Sequence, residues 1–321
     1  MPQNHTHTHF SDLTNQTTKR LAISLLLTLT FVIVEAIAGT IANSLALLTD
    51  AAHNFTDVIA LGLSWYALRI AAQPAHAGKT YGYHRVGILV ALVNSTTLIL
   101  IALGIFYEAW RRFISPPEVD SVILIGVGAL AFIINTVTAW LVHKGSDQDL
   151  NLRSTFIHLM GDVLSTIGAV IAGIIIYFTK WNWLDPLVSV LIGALILWNA
   201  WGILRQTIHI LLESTPENID MHHMVDDLLK LKGVRGVHDL HVWSINENLR
   251  ALSAHVMTDD IPISAGVDIQ RGVNEILFQK YNIQHATLQL ECEGCDPSML
   301  YCDISGMREL APASQTTPTG K

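Results

Sequence analysis

The sequence predicts an all-α bundle of six transmembrane helices followed by a small cytosolic α+β domain. Half of the 321 residues are hydrophobic and 14% are charged, which is typical of a membrane protein that carries one modest soluble domain. Six long apolar segments come first, and shorter segments with helix and strand periodicity follow them.

A polar stretch, residues 1–18, opens the chain, and we expect it to be a disordered tail without a cleavable signal. It carries His5, His7 and His9 on alternate positions. A short tract of this kind can bind a metal ion weakly. The alternative is a solvated tail whose histidines have no fixed ligand role.

The six apolar segments define a transport region over residues 19–205. Each has the roughly 20 residues that a helix needs to cross a bilayer. They run over 21–42, 45–71, 86–113, 119–142, 152–178 and 186–204. With the N-terminus inside, eight Lys and Arg residues flank the inner ends and three flank the outer ends, which places both termini in the cytoplasm. Asp185 before Pro186 predicts an N-cap for the sixth helix.

Two of these segments carry the same phrase, His-x-x-x-Asp, as His53 with Asp57 and His158 with Asp162. A spacing of four residues puts the imidazole and the carboxylate on one helix face, one turn apart. Ionisable groups at membrane depth are costly, and they usually face a bundle interior and mark an ion path. Two nitrogens and two carboxylate oxygens make a suitable tetrahedral shell for Zn²⁺. The alternative is simple hydrogen bonding between helices, but the repeated phrase favours a metal site.

Three further acidic residues lie at or near membrane depth. Glu108 can pair with Arg112 one turn later, so we expect a structural role for it. Asp50 shares a helix face with His53 and is either a carboxylate on the ion path or an interfacial cap. Glu35 has no partner that the sequence assigns.

After the sixth segment the periodicity changes, which predicts a soluble domain over residues 206–300. The predicted elements are a helix at 219–231, strands at 237–245 and 249–257, a helix at 266–281 and a strand at 286–291. This order predicts helices on one face of a sheet. We expect the tail, residues 301–321, to be disordered.

The formal net charge of −8 lies wholly in the C-terminal part. Residues 1–205 hold 11 basic and 11 acidic side chains, whereas residues 206–321 hold 8 and 16. An acidic soluble domain argues against a nucleic-acid partner and agrees with the gathering of cations. Cys292 and Cys295 have zinc-ligand spacing but supply only half of a shell, which the N-terminal histidines could complete. Cys302 has no role that we can assign.

Four phrases resemble the cation diffusion facilitator family, the zinc-transporting proton antiporters. They are SLALLTDAAHNFTD at 44–57, YGYHR at 81–85, DLNLRSTFIHLMGD at 149–162 and VHDLHVW at 237–243. The resemblance covers nearly the whole chain. It implies that the paired His-x-x-x-Asp phrases form the transport site and prefer zinc. Gly87 departs from the pattern, because many members carry an acidic residue there.

The same resemblance implies the properties of the soluble domain. It would be ferredoxin-like and metallochaperone-like, and it would form a homodimer in the cytosol. His238, His255, His285 and Glu291 match a zinc site at the dimer interface, and Arg85 and Glu213 match a charge-paired interlock. The short loop before the fifth helix is similar to that of bacterial members, so we expect a multi-pass protein of the bacterial inner membrane.

The function that we expect is secondary active transport, with Zn²⁺ leaving the cytoplasm in exchange for H⁺ across the lipid bilayer. Zn²⁺ would be both cargo and regulator, and we expect no organic cofactor. The alternatives are a membrane metal sensor or receptor and an exporter that also accepts Cd²⁺ or Co²⁺. An enzyme is disfavoured, because the sequence holds no His-Glu-x-x-His phrase and four protein ligands leave no position for an activated water.

Overall fold

The computed structural model describes residues 28–146 and 150–292, and the chain divides into two units between Ile208 and His209. The first unit is helical. Its described helices are α1 (Thr28–Ile41), α2 (Leu45–Ala71), α3 (Val86–Ile114), α4 (Ser121–Ser146), α5 (Leu150–Thr179) and α6 (Leu184–Leu211). The predicted segment at 45–71 coincides with α2, whereas α6 continues to Leu211, beyond the predicted end at 204.

Four of the helices in the described ranges have the length and hydropathy to cross a membrane. The apolar stretches lie in α3, α4, α5 and α6. α2 is long enough, but Asp50, His53 and Asp57 interrupt its apolar character, and α1 is described only from Thr28. The count of six spans therefore stays a prediction.

In the helical unit many large apolar side chains lie on the surface, which is the reverse of the arrangement in a soluble protein. One buried cluster joins α2, α4 and α5 and consists of Ala46, Leu47, Leu124, Ala169 and Ile176. A second cluster joins α3 and α6 and consists of Leu98, Ala102, Ile192, Ile196 and Ala200. Large apolar side chains point outward instead, and Trp198 is 81% exposed and Phe178 78% exposed. Such a surface suits a lipid environment, where small residues bring helices together.

Two glycines lie at close contacts between α4 and α5. A Cβ atom at Gly173 of α5 would lie 2.9 Å from Cγ1 of Ile125 on α4, and one at Gly128 of α4 would lie 3.1 Å from Cγ2 of Val170. α4 and α5 therefore approach so closely that a methyl group at Gly173 would force them apart.

The second unit contains a three-stranded sheet and two helices. Its elements are α7 (Met221–Leu229), β1 (Gly236–Ser244), β2 (Arg250–Met257), α8 (Ile263–Tyr281) and β3 (His285–Glu291). The strand order is β1-β2-β3, with β1 and β2 antiparallel and β2 and β3 parallel. A parallel pair needs a crossover connection, and α8 supplies it. The order of helices and strands is the predicted one.

Local sequence signals explain where these elements begin and end. The Asp220 carboxylate caps α7 by accepting hydrogen bonds from the backbone N–H groups of His222 and His223. The side chain of Asn246 organises the turn between β1 and β2 by accepting from the N–H of Leu249 at 2.7 Å. Asn282 ends α8 in the left-handed conformation, with φ of 52°.

The core of the second unit lies between the two helices and one face of the sheet. Its fully buried members include Met224, Leu228, Leu240, Leu252, Val256, Val273 and Leu277. Alternate residues of each strand point into this core, as the period of a strand requires. The remaining residues of β2 and β3 are half-buried or exposed and form the second face of the sheet.

Asp227 of α7 is the centre of a charged network at the edge of this core. Its carboxylate accepts hydrogen bonds from Nζ of Lys230 at 2.7 Å, Nζ of Lys280 at 2.8 Å and the hydroxyl of Tyr281 at 3.1 Å. The bond from Lys230, followed by the bond from Lys280, holds the pKa of the Asp227 carboxyl well below its usual range. Burial, reinforced by Asp227, raises the pKa of Tyr281 to about 12. The network ties α7 to the end of α8.

Candidate metal sites

The two His-x-x-x-Asp phrases lie on α2 and α5, which share the buried cluster described above. Within each helix, the spacing of four residues places the imidazole and the carboxylate on one face. The cluster holds the two helices side by side, so the two pairs meet in the space between α2 and α5.

The four side chains form one constellation. The Nε2 atom of His53 lies 3.5 Å from Oδ2 of Asp57 and 3.5 Å from Oδ1 of Asp162. The Nε2 atom of His158 lies 3.2 Å from Oδ2 of Asp57 and 3.8 Å from Oδ2 of Asp162. The two imidazole rings are 5.4 Å apart and nearly perpendicular. Each imidazole nitrogen thus faces one carboxylate of its own helix and one of the other helix.

The constellation is buried on one side and open on the other. The side chains of His53 and Asp162 are 9% and 11% exposed, whereas those of His158 and Asp57 are 40% and 35% exposed. An ion would therefore approach from the side of His158 and Asp57. The Nδ1 atom of His53 is buried and has no hydrogen-bond partner among the described residues. Only Nε2 of His53 faces the carboxylates, so it is the nitrogen that would bind a metal ion.

A second layer of polar side chains lies behind the constellation. The hydroxyl of Ser165 donates to the backbone carbonyl of Asp162 at 2.8 Å and lies 3.3 Å from Oδ1 of Asp50. Asn54 donates to Oδ2 of Asp50 over a longer distance, 3.4 Å. The structure therefore places the Asp50 carboxylate beside the constellation, within α2, whose N-cap is Ser44.

Asp185 positions α2, and the prediction that it caps the sixth helix is wrong. Its carboxylate accepts hydrogen bonds from the hydroxyl of Ser44 at 2.6 Å, the N–H of Leu45 at 2.6 Å and the N–H of Ala46 at 3.2 Å. Asp185 lies within the first turn of α6, and its side chain crosses to the N-terminus of α2, which favours a negative charge. We call this set of contacts the Asp185 anchor. The sequence held no signal for it, because the partners are some 140 residues apart.

Arg112 of α3 extends the Asp185 anchor. It lies 3.8 Å from Oδ2 of Asp185 and donates to the backbone carbonyl of Asn43. The predicted pairing of Arg112 with Glu108 is confirmed at 3.2 Å, and Arg111 joins it at 3.1 Å. Charges from α3 and α6 therefore hold the beginning of α2.

The second unit contains another group of metal-ligating side chains, at one end of its sheet. Donor atoms of His238 on β1, His255 on β2 and Glu291 on β3 lie within 4.8 Å of one another. Oε1 of Glu291 lies 2.5 Å from Nε2 of His238, and Oε2 lies 3.2 Å from Nδ1 of His255. His238 pairs directly with His255 in the β1–β2 register, which explains why the two rings meet.

These three side chains are of the types that bind zinc, but their number is one short of a closed site. Two imidazoles and a carboxylate are suitable ligands, but a closed tetrahedral site needs a fourth. Asp239, which the sequence analysis did not single out, lies nearby, with Oδ2 3.8 Å from Nε2 of His255. The strand register is irregular between His238 and His241, and Asp239 has a φ of 49°, so a bulge turns this carboxylate toward the cluster.

The remaining predicted site residues lie elsewhere. His285 begins β3, opposite Ala251, and Glu291 ends it, about 20 Å away at strand spacing. The chain therefore does not bring His285 to the His238 cluster. Cys292 follows Glu291 and is exposed. Arg85 precedes α3 and Glu213 follows α6 with a φ of 55°, and their pairing stays a prediction. His5, His7, His9, Cys295 and Cys302 lie outside the described residues.

Both units match models of known protein families. Residues 21–212 match the cation efflux transmembrane domain, and residues 216–293 match the cytoplasmic domain of cation efflux proteins. The two matched stretches meet near the division between the two units.

Individual relatives resemble the chain over most of its length. The cadmium, cobalt and zinc/H⁺-K⁺ antiporter of Bacillus subtilis is 39% identical over 88% of this chain and 94% of its own. The zinc transporter ZitB of Pectobacterium atrosepticum is 38% identical over 92% of this chain and 91% of its own. The metal cation efflux system protein CzcD of Cupriavidus metallidurans is 34% identical over 90% and 91%.

Proposed function

This chain belongs to the cation efflux family, and from that premise we propose that it exports Zn²⁺ from the cytoplasm in exchange for H⁺. The matched relatives carry the names of transporters, and one of those names includes both zinc and H⁺. The proposed activity is therefore transport and not catalysis.

The observation that carries the proposal is the constellation of His53, Asp57, His158 and Asp162. Zinc–ligand bonds of 2.0–2.1 Å in a regular tetrahedron put neighbouring ligand atoms about 3.3 Å apart. The four nitrogen–oxygen distances between the imidazoles and the carboxylates run from 3.2 to 3.8 Å. Donor atoms of His53, His158 and Asp162 lie within 4.8 Å of one another, and Asp57, which faces both imidazoles, would move to complete a tetrahedral shell around a zinc ion.

The same ligands explain why zinc would exchange with protons. A metal ion binds neutral imidazole and ionised carboxylate, so zinc and protons compete for the constellation. Imidazole is the side chain that changes charge most readily near neutral pH. Protons taken up on the outer side would displace zinc there, and zinc taken up on the inner side would displace protons.

The membrane architecture that we propose has six spans, with α1 and α2 added to the four apolar helices. Exposed backbone is not tolerated in lipid, so whole helices must move to open the constellation to each side in turn. We propose both termini on the cytoplasmic side of a bacterial inner membrane, with a transport domain over residues 19–205 and a cytosolic domain over 206–300.

For the cytosolic domain we propose a ferredoxin-like, metallochaperone-like fold that forms a homodimer and binds a regulatory zinc ion. The half-buried second face of its sheet is available for a second copy of the chain. His238, His255 and Glu291 would supply three ligands. Because His285 lies at the far end of β3, a second copy would have to bring its own His285 to complete the shell.

Uptake of radioactive zinc into inside-out membrane vesicles tests the transport proposal. We expect zinc uptake to rise when the interior of the vesicles is made more acidic than the bath. A proton carrier, which abolishes this pH difference, should abolish the uptake. Uptake that ignores the proton gradient would contradict H⁺ exchange, and binding without uptake would support the receptor alternative. Parallel measurements with Cd²⁺ and Co²⁺ decide the breadth of specificity, and replacing K⁺ by an impermeant cation tests for a K⁺ contribution.

A further inference from the structure

A buried amide on α4 has a hydrogen-bond donor without an acceptor. The Nδ2 atom of Asn135 is buried, and no described residue accepts a hydrogen bond from it. Asn135 lies on the packed stripe of α4, one turn after the buried Ala131 and one turn before the buried Ala139. The hydrocarbon of a membrane holds no water that could satisfy such a group, so leaving it unpaired is costly. An acceptor that reaches this nitrogen during the transport cycle would remove the cost.

The contacts between α4 and α5 show which residue lies opposite Asn135. A Cβ atom at Gly173 of α5 would lie 3.1 Å from Cγ of Leu124 on α4, so these two residues face each other. The two helices are antiparallel, as the glycine contacts described above show, and three turns of a helix take about eleven residues. Eleven residues after Leu124 comes Asn135, and eleven residues before Gly173 comes Asp162. Asn135 and Asp162 therefore lie at the same level of the α4–α5 interface, on the sides by which the two helices face each other.

The carboxylate of Asp162 lacks a donor in the described part of the chain. It faces the imidazoles of His53 and His158 at 3.5 and 3.8 Å, and the Nε2 atoms of these rings are the ones that a cation would bind. The hydroxyls of Ser165 and Thr166 donate to the backbone carbonyl of Asp162 and not to its carboxylate. A carboxylate that binds a metal ion is usually hydrogen-bonded as well, and this bond orients it. A donor for Asp162 is therefore to be sought among the neighbouring side chains.

We propose that Asn135 is a positioning residue of the transport site: when a divalent cation is bound, its amide donates a hydrogen bond to one oxygen of Asp162 and leaves the other oxygen for the cation. The donor without an acceptor and the carboxylate without a donor lie at one level of the same interface, and each satisfies the other. The bond is not made in the described structure, so loading has to bring the two groups together. The site then draws on α4 in addition to α2 and α5. This inference rests on the proposed transport of a divalent cation.

The zinc affinity of the purified full-length protein tests the proposal. His238→Ala with Glu291→Ala first removes the cytosolic cluster, so that zinc binding reports on the membrane unit. In this background Asn135→Leu, which has a similar volume and no donor, should bind zinc about 10–100-fold more weakly, the usual effect of losing such an outer partner. Thr138→Val is the matched control, because the Thr138 hydroxyl donates to the carbonyl of Ile134 on its own helix, and it should bind zinc like the background protein. Equal zinc affinities of Asn135→Leu and the background protein would overturn the proposal.

Infrared spectroscopy separates a positioning role from a purely structural one. The difference between spectra with and without zinc contains the carboxylate stretching bands of the ligands, and ¹³C-labelled aspartate identifies those of Asp57 and Asp162. Asp57→Glu keeps a carboxylate in the site and shows which of the two bands belongs to Asp162. Because a hydrogen bond changes the frequency of the carboxylate that accepts it, Asn135→Leu should shift the Asp162 band and Thr138→Val should not. A weaker zinc affinity with an unshifted Asp162 band would assign Asn135 to packing alone and overturn the proposal.

Two further outcomes are distinguishable from these. If Asn135→Leu does not fold, Asn135→Ala removes the donor without adding bulk and gives the same two measurements. If the background protein binds no zinc in its membrane unit, the transport proposal itself is contradicted, and this inference falls with it. Zinc binding that is unaffected by the loss of the Asn135 amide contradicts this inference alone.

Discussion

The Asp185 anchor predicts a large loss of stability for a substitution that changes only one atom. Asp185→Asn keeps the shape of the side chain but removes its charge and turns one acceptor into a donor that would face a backbone N–H. Three donors at 2.6, 2.6 and 3.2 Å serve this fully buried carboxylate. Arg112 would also lose a charge that lies 3.8 Å away.

The magnitude follows from the kind of bond that is lost. Interhelical hydrogen bonds in membrane proteins average about 0.6 kcal/mol in double-mutant cycles. Bonds to a charged group contribute about 1.5–3 kcal/mol, and a buried donor left without an acceptor costs about 1–3 kcal/mol. Because Asp185 is charged and one N–H would be left without an acceptor, the values for charged groups and for unpaired buried donors apply, and the average for neutral interhelical bonds does not. We expect a loss of about 2–4 kcal/mol in the free energy of unfolding.

Unfolding in mixed micelles, titrated with a denaturing detergent, measures this loss. Asp120→Asn is the control, because the Asp120 carboxylate caps its own helix, α4, from an exposed position and Asn caps a helix about as well as Asp, so the loss should be well below about 1 kcal/mol. A double-mutant cycle of Asp185→Asn with Ser44→Ala should give a coupling of about 1 kcal/mol or more, since the two side chains are bonded. Strict additivity, or a loss for Asp185→Asn no larger than for Asp120→Asn, would refute the role of the Asp185 anchor.

Three further predictions concern the constellation of α2 and α5 and the charged network of α7. Asp162→Ala should abolish zinc transport while the protein stays inserted, because it removes one of two carboxylates; transport at the unaltered rate in vesicles would rule out the constellation. His53→Asp should keep transport and admit Cd²⁺ more readily, because a carboxylate can bind a larger ion through two oxygens; competition between Cd²⁺ and Zn²⁺ measures the ratio, which should not stay constant. The pKa of Asp227 lies below its unfolded value, so its contribution to stability is present above the unfolded pKa and lost as the pH falls through the folded value. Asp227→Asn should therefore speed amide exchange of the sheet at neutral pH and have little effect in strong acid, and equal effects at both would contradict this.

Helices and strands were predictable because each depends on its own stretch of sequence. Apolar runs gave α2 and α3, and alternation gave β1 and β2, to within about one residue. The two metal clusters were also predictable in part, because a repeated phrase on two helices and a family resemblance identify residues without coordinates. The structure then brings the four membrane residues within 3.8 Å as nitrogen–oxygen pairs.

Contacts made by residues far apart in sequence were not predictable. Asp185 beside Pro186 has the local pattern of an N-cap, yet α6 begins one residue earlier, at Leu184, and the Asp185 carboxylate accepts hydrogen bonds from the beginning of α2. Asp239 reaches His255 only because a bulge turns the strand, and no residue in β1 signals that bulge.

The glycine contacts between α4 and α5 have a mechanical consequence for a carrier of this design. At Gly173 the two helices touch so closely that α5 cannot tilt toward α4 without pushing it along. The Asp185 anchor instead ties the beginning of α2 to α6. The beginning of α2 is thus held on two sides, by α6 through the Asp185 anchor and by α4 and α5 through the buried cluster that includes Ala46 and Leu47. Beyond this fixed end, a cation bound between α2 and α5 would join their ligand-bearing turns, and its release would leave those turns free to separate.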